Sequence, residues 1–224
     1  MSSLHPSPTA VASAAVPSSD CRLCPRLAAF REANIAAFPD WHNAPVANFG
    51  DPDARLLIAG LAPGLKGANR TGRPFTGDYA GDLLYSTLLR FGLAEGQYAA
   101  RPDDGLVLKD CVIANSVRCV PPENKPTPLE INTCNRFFAA TLAARPQVKV
   151  IVALGRIAHD AVLIALGLKR SAYRFAHGAV HELPRFTLYD TYHCSRYNTQ
   201  TNRLTAQMFA DVIGAAAARA RAPA

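Results

Sequence analysis

Short apolar runs alternate along this chain with stretches of helical periodicity. Four runs have the length and composition of strands buried on both faces, as in parallel sheets: residues 56–59, 111–114, 148–154 and 186–192. Helical patterns lie before, between and after these runs, at residues 27–38, from 83, from 127, at 157–166 and at 204–218. Strands that alternate with helices predict the α/β class, and the sequence shows no internal repeat or second domain.

The first run continues into a glycine-rich loop that ends where a helix begins. A loop after a parallel strand lies at the carboxyl edge of the sheet, where open α/β sheets bind their ligands. Its glycines match neither the P-loop nor the dinucleotide-binding fingerprint. The loop carries Arg70, Arg73 and Phe75, and its one acid, Asp78, is the candidate catalyst. Asp is also a favoured N-cap, so the alternative is that Asp78 only begins the next helix.

A second candidate follows the last predicted strand. His193 stands directly after that strand, at the same edge of the sheet as the glycine-rich loop, and Arg196 and Arg203 come shortly after it. An imidazole at this edge can bind a ligand or take part in proton transfer. The other histidines of the second half are interpreted as structural or solvent-facing: His159, His177 and His181.

Charge and composition narrow the class of partner. The formal net charge is +7 and arginine outnumbers lysine, which suits phosphate polymers because guanidinium pairs with phosphate through two hydrogen bonds. Residues 1–20 are rich in Ser, Ala and Pro and contain no basic residue, so they predict a disordered tail rather than a targeting sequence. No stretch is long and apolar enough to span a membrane. We expect a cytoplasmic monomer that does not contact membranes.

The cysteines indicate a metal centre. In a chain expected in the cytoplasm, six cysteines favour metal or redox chemistry over disulfides. Cys21 and Cys24 form a C-x-x-C motif, and Cys119 and Cys134 lie far along the chain from them. These four could hold a tetrahedral zinc or an iron–sulfur cluster, and their spacing leaves both open. Cys111 lies inside a predicted strand and is interpreted as a small buried residue.

Three longer motifs carry a resemblance to a known family: GLAPGLKGANRTGRPFTGD, CVPPENKPTPLE and HCSRYNTQTNRLT. The CRLCPRL start and LGRIAHDA fit the same pattern. The sequence resembles uracil-DNA glycosylase family 5, the type B enzymes, from Cys21 to the last helix. This resemblance implies one domain over residues 21–224, with a three-layer α/β/α fold and a central four-stranded parallel sheet. It also implies a monofunctional glycosylase that removes uracil, and often hypoxanthine and xanthine, from DNA that contains deaminated bases.

The resemblance assigns roles to particular residues. It implies a structural four-iron, four-sulfur cluster on four cysteines: Cys21, Cys24, Cys119 and Cys134. Asp78 matches the position of the family's catalytic aspartate, where a carboxylate can stabilise the sugar cation and orient a water. His193 and the backbone N–H groups of one turn would bond the leaving base: Gly60, Leu61, Ala62 and Gly64. Phe75 would stack on the extruded base, and Asn124 would bind water or base.

Five cations would grip phosphates on either side of that base: Arg70, Arg73, Lys125, Arg196 and Arg203. Ala62 stands where other uracil-DNA glycosylase families place Asp, Glu or Asn, as is usual in type B enzymes, so Asp78 is the nearest carboxylate of the motif. Cys194, Tyr197 and Asn202 differ from the residues expected in the last motif and bear on substrate preference. Two alternatives remain: a non-catalytic iron–sulfur module that binds damaged DNA, and a hydrolase of free nucleosides or nucleotides.

Overall fold

The computed structural model describes residues 16–223. Residues 1–15, which make up most of the predicted tail, and residue 224 lie outside the described residues. In the described part of the chain, no helix combines the length and apolar character that crossing a lipid bilayer requires.

A six-stranded sheet forms the centre of the molecule. Its strands are β1 (Phe49–Gly50), β2 (Leu56–Gly60), β5 (Cys111–Asn115), β6 (Val150–Leu154), β7 (Val180–Glu182) and β8 (Thr187–Thr191), and a separate ribbon pairs β3 (Ala94–Glu95) with β4 (Val107–Leu108). The order across the sheet is β1-β5-β2-β6-β8-β7. The four inner strands are parallel, as predicted, and the two outer strands run antiparallel to their neighbours.

The prediction of four strands is therefore wrong in number, although the α/β/α class is confirmed. The two strands that it missed lie at the edges of the sheet. β1 has two residues, and β7 has three of which two are polar, so neither gives the apolar run by which a buried strand is recognised.

Seven helices flank the sheet in the described residues: α1 (Pro25–Ala37), α2 (Ala68–Thr71), α3 (Tyr79–Arg90), α4 (Pro128–Ala143), α5 (Arg156–Ala165), α6 (Arg196–Gln200) and α7 (Ala206–Arg221). Single 3₁₀ turns lie at Pro122–Asn124 and Arg170–Ala172. The start of α4 is a complete capping box, in which the Thr127 hydroxyl accepts from the Glu130 N–H and the Glu130 carboxylate accepts from the Thr127 N–H.

The two faces of the sheet bury alternate residues of each inner strand. Leu56 and Ile58 of β2 pack in one core with α3 and α7, whereas Leu57 and Ala59 pack in the other core with α4 and α5. Because successive side chains of a strand point to opposite faces, an uninterrupted apolar strand holds two helical layers together. A smaller cluster joins Leu27 of α1 to the region after β5.

Candidate active site

A pocket of about 380 Å³ opens at the carboxyl edge of the sheet, within the size range of small-molecule sites. The parallel strands β2, β5 and β8 end beside one another there, so the loops that follow them share one edge. The pocket brings together most of the predicted site residues: Leu61, Ala62, Gly64, Phe75, Asp78, Asn124, His193 and Arg196. Asn115 and Ser195, which the sequence did not single out, complete its polar lining.

Asp78 points its carboxylate into a tight space rather than capping a helix. It occupies the N-cap position of α3, yet its side chain accepts no capping hydrogen bond. Its Oδ1 atom is buried without a hydrogen-bond partner in the described residues, and its Oδ2 atom lies against Gly64 and Gly67. Burial raises the pKa of Asp78 above its ordinary value, although the nearby N–H groups of Gly81 and Ala80 lower it in part. Asp82, the other acid at the start of α3, is exposed and does not line the pocket.

Gly60 has a steric role at the base of the pocket. A Cβ atom at this position would collide with the side-chain oxygen of Asn115 and would lie 2.9 Å from Cζ of Phe75. Glycine at the end of β2 therefore lets both side chains approach the backbone. The site prediction had placed Gly60 against the ligand, but the structure places it beneath two side chains that line the pocket.

Asn115 is the polar group that the sequence interpretation missed. It is the last residue of β5, its exposed fraction is 2%, and its Oδ1 atom is buried with no hydrogen-bond partner in the described part of the chain. Buried amide oxygens are nearly always hydrogen-bonded, because leaving one unpaired costs about 1–3 kcal/mol. An unpaired amide in a pocket wall is a candidate for recognising a ligand.

His193 lies two residues beyond β8 and contributes its ring to the pocket. The ring centroids of His193 and Phe75 are 6.0 Å apart, and the side chain of Asn198 donates to the His193 carbonyl at 2.8 Å. Burial lowers the pKa of His193 to about 4, so the imidazole is neutral at pH 7. A neutral imidazole has one N–H donor and one acceptor, and it can donate without carrying charge.

Backbone hydrogen-bond donors form part of the pocket wall. Within the described residues, no acceptor bonds the N–H groups of Leu61, Ala62 and Gly64 in the turn after β2. Asn124 fixes the next part of this wall, because its side-chain oxygen accepts from the Leu65 N–H at 3.2 Å. The pocket thus combines a buried carboxylate, a neutral imidazole and free backbone donors.

Comparison with known proteins decides what kind of site this is. The family described as the uracil DNA glycosylase superfamily matches residues 47–216. A type-5 uracil-DNA glycosylase of Thermus thermophilus is 50% identical over 200 residues, which cover 86% of this chain and 90% of that protein. The chain belongs to the uracil-DNA glycosylase superfamily. This is a family of hydrolases that act on N-glycosyl bonds, as the resemblance implied.

Further relatives narrow the position of the chain within the superfamily. A type-5 uracil-DNA glycosylase of Pyrobaculum aerophilum is 38% identical over 206 residues, which cover 90% of this chain and 89% of that protein. A type-4 uracil-DNA glycosylase of Archaeoglobus fulgidus is 32% identical over 143 residues, or 63% of each chain. The longer and closer matches are to type-5 enzymes, which confirms the family-5 resemblance.

Four of the five predicted phosphate-binding cations of this superfamily member are exposed: Arg70, Lys125, Arg196 and Arg203. Arg196 lines the pocket and stacks over Tyr79, with 5.1 Å between the guanidinium carbon and the ring centroid. Arg203 stacks over Tyr192 at 4.6 Å and lines a groove beside the pocket. These side chains stand where DNA phosphates can reach them.

Arg73 is the exception, and the prediction that it binds phosphate is wrong. Its exposed fraction is 5%. Its two terminal nitrogens each donate to a carboxylate oxygen of Asp104 at 2.8 Å, and Nε donates to the Thr76 hydroxyl at 2.7 Å. The guanidinium also lies within 6 Å of three aromatic ring centroids, including Tyr85. With its donors used and its side chain covered, Arg73 ties the loop before Asp78 to the rest of the domain.

The four predicted metal-binding cysteines surround one small cavity: Cys21, Cys24, Cys119 and Cys134. All are free thiols. Donors face the sulfur atoms, since the Arg31 guanidinium donates to Cys119 Sγ at 3.7 Å and the Arg118 N–H donates to Cys134 Sγ at 3.3 Å. Arg31 is buried and has no carboxylate within salt-bridge distance in the described residues. A buried cation beside one of four clustered thiols fits a centre with net negative charge.

The remaining histidines form a structural network, in line with their interpretation from the sequence. The buried His159 donates from Nδ1 to Asp190 at 2.8 Å, and Nε2 of His181 lies 3.1 Å from the other oxygen of the same carboxylate. Although burial alone would lower the pKa of His159, the bond to Asp190 raises it above its usual value. This network fastens the segment before β7 to β8 and lies outside the pocket.

Proposed function

We propose that this protein is a monofunctional DNA glycosylase that removes uracil from DNA and leaves an abasic site. One observation carries the proposal: a buried, unpaired carboxylate oxygen of Asp78 and a buried, unpaired amide oxygen of Asn115 belong to residues that line one pocket at the carboxyl edge of the sheet. A sugar that develops positive charge would interact with the carboxylate of Asp78. A base would form hydrogen bonds with the amide of Asn115. The type-5 relatives, which are named uracil-DNA glycosylases, support the same assignment.

Asp78 acts on the sugar. Cleavage of an N-glycosidic bond builds positive charge on the sugar ring, and a nearby carboxylate stabilises that charge and orients the attacking water. The pocket holds Asp78 away from solvent, where an electrostatic interaction is stronger than in water. The residue needs to be ionised, so its raised pKa sets the acid limit of the reaction.

His193 and the backbone donors act on the leaving base. Negative charge collects on the base as the bond breaks, and the neutral imidazole of His193 donates its N–H to that charge, together with the free N–H groups of the turn after β2. Asn115 hydrogen-bonds the base edge through its amide, and Phe75 packs against its face. Because these groups lie inside a pocket, the base must leave the DNA stack to reach them.

We further propose that hypoxanthine and xanthine are substrates. Ala62 lines the pocket where a larger polar side chain would narrow it. Backbone N–H donors do not distinguish the oxygen of a pyrimidine from that of a purine, so the wall of donors suits both kinds of base.

We also propose that the four cysteines hold a structural four-iron, four-sulfur cluster. In the described residues, the one group of three ligand-type side chains within 4.8 Å of one another is His159, His181 and Asp190. No three of the four sulfur atoms therefore lie within 4.8 Å of one another, whereas sulfur atoms around a single zinc would stand roughly 3.8 Å apart, given Zn–S bonds of about 2.3 Å. Thiolates that bind separate iron atoms of one cluster stand further apart. When bound, the cluster would fasten α1 to the β5–α4 region, outside the reaction.

The test is cleavage of a labelled oligonucleotide that contains one uracil, hypoxanthine or xanthine, with alkali used to break the strand at abasic sites. Free deoxyuridine serves as the control substrate. We expect cleavage of the oligonucleotide and none of the nucleoside. Equal turnover of deoxyuridine would instead support a nucleoside hydrolase, and binding of damaged DNA without release of the base would support a non-catalytic module.

A further inference from the structure

A cavity with a volume of about 970 Å³ lies near the base pocket. It is formed by the first residues of α5 and by the segment between α5 and β7. Four exposed cations line it: Arg156, Lys169, Arg170 and Arg174. It contains one carboxylate, Asp160, which lies 3.6 Å from the Arg170 guanidinium. The cavity therefore has a strong excess of positive charge.

A groove connects this cavity to the base pocket. Leu61 and His193 line both the groove and the base pocket, while Arg156 and Phe175 line both the groove and the cationic cavity. The three depressions are thus continuous along the carboxyl edge of the sheet, from the end of β2 past the start of α5.

The cations of this cavity differ from the paired arginines elsewhere in the molecule. No carboxylate lies within salt-bridge distance of Arg156, Lys169 or Arg174 in the described residues. By contrast, Arg73 and Arg55 each make a multidentate pair with an aspartate. Exposed cations that repel one another around a concave surface raise the local concentration of anions.

Two further features suit a nucleic acid strand. Tyr173 and Phe175 stand among the cations, and aromatic rings interleaved with positive charge are what single-stranded nucleic acids bind. Helix α5 begins at the groove after Gly155 with no side-chain cap, so the N–H groups of its first turn remain available to a phosphate.

We propose that the DNA strand on one side of the extruded nucleotide runs through this groove into the cationic cavity, where Arg156, Lys169 and Arg174 contact its phosphates. This inference rests on the proposed function and adds the path of the strand. The path is one-sided: the phosphates on the other side of the extruded nucleotide lie outside the cavity. Phosphate contacts fix the position of the strand without reading its sequence.

The experiment uses single-stranded oligonucleotides with one uracil, lengthened in steps on the 5′ side or on the 3′ side. The test variant is Arg156→Ala/Arg174→Ala. The matched control, Lys149→Ala/Arg185→Ala, removes two cations from a cavity at the amino ends of β6 and β8, the opposite edge of the sheet. Affinity is measured against salt concentration, and single-turnover cleavage is measured on each length.

For the parent, lengthening on one particular side is expected to tighten binding, and the test variant loses that gain while the control pair keeps it. With about −0.7 per phosphate for single strands, the salt slope of the test variant should flatten by about 1.4. The proposed path of the strand would be wrong if the test variant kept the parental dependence of affinity on length. It would also be wrong if the variant lost affinity equally for strands lengthened on the 5′ side and on the 3′ side. If the parent cleaves no uracil strand, the proposed function fails, while the binding data still report on the cavity.

Discussion

The carboxylate of Asp78 occupies the space that a side chain at position 67 would need. A Cβ atom on Gly67 would collide with Asp78 Oδ2, and one on Gly64 would lie 2.9 Å from the same oxygen. Atoms in folded proteins do not approach a Cβ this closely, so the carboxylate can occupy this position only because residues 64 and 67 are glycines. The glycine-rich loop therefore contributes to the site by leaving room for the catalytic group.

The first prediction concerns Gly67→Ala, which should displace Asp78 and slow single-turnover cleavage of uracil DNA roughly tenfold to a hundredfold, or about 1.4–2.7 kcal/mol of barrier. If the loss arises through Asp78, it should largely disappear when Asp78→Asn is already present. Strictly additive losses in this double-mutant cycle would show that Gly67 acts independently of the carboxylate.

The second prediction separates the catalytic role of Asp78 from a role as helix cap. Asp78→Asn should reduce single-turnover cleavage by on the order of a thousandfold, about 4 kcal/mol, because Asn carries no charge to oppose the sugar cation. The exposed Asp82→Asn is the control and should cleave like the parent. If instead Asp82→Asn is the inactive variant, the catalytic acid has been misassigned.

Stability should move in the opposite direction. The folded-state pKa of Asp78 is raised, so its ionised form opposes folding at neutral pH, and Asp78→Asn should be at least as stable as the parent at pH 7. The difference should shrink as pH falls through the raised pKa and vanish below the ordinary Asp value. Denaturant unfolding at several pH values measures it, and a destabilised Asp78→Asn at pH 7 would restore the helix-cap interpretation.

The third prediction concerns the charge state of His193. Because its pKa is lowered to about 4, His193 should contribute no titration to cleavage between pH 6 and 8, where an ordinary histidine changes charge. His193→Ala should slow cleavage by about a hundredfold or more through loss of one donor to the departing base. The pH dependence over this range should therefore have the same shape in the parent and in His193→Ala, and a titration near pH 6.5 that only the parent shows would contradict a neutral donor.

The chemistry of the site was more predictable from the sequence than its packing. Asp78 and His193 each follow a recognisable strand or loop, so their place at one edge of the sheet followed from the order of the elements. Asn115 was missed because an asparagine that ends an apolar run is typical of an ordinary strand end. Only the structure shows that its oxygen is buried, unpaired and next to Gly60.

Arg73 illustrates the opposite error. An arginine in a polar loop predicts solvent exposure, and the acid that pairs with it lies 31 residues further on, beyond α3 and β3. Sequence separation of this size hides an ion pair from any local pattern. The inner strands were predictable because their residues are apolar on both faces. β1 and β7 have no such apolar run, and they are strands because they pair with β5 and β8.

The fourth prediction contrasts an exposed arginine with a buried one. Arg203→Ala should flatten the dependence of duplex affinity on salt by about 0.9 in the log–log slope and leave the melting temperature unchanged. Arg73→Ala should leave that slope unchanged and destabilise the fold by about 3–5 kcal/mol, because the buried carboxylate of Asp104 loses its cation and keeps only the N–H groups of Ala99 and Leu106. If Arg203→Ala destabilises the fold and Arg73→Ala flattens the salt slope, both assignments are wrong.

The fifth prediction concerns the cysteines, and it follows from their position between α1 and the β5–α4 region. Purified protein should be brown and contain iron and acid-labile sulfide. Cys119→Ser should lose both and melt at a lower temperature, whereas Cys111→Ala, which alters a buried cysteine of β5 outside the group, should keep its iron. Loss of the centre should also loosen α1, which would then be held mainly by the Arg26–Glu130 ion pair at 2.7 Å and by the packing of Leu27. Limited trypsin digestion would then cut after Arg22 or Arg26 in Cys119→Ser and spare both sites in Cys111→Ala.

One zinc per chain and no iron in anaerobically prepared protein would refute the cluster. The four thiolates would then still hold α1 in place, but as ligands of zinc.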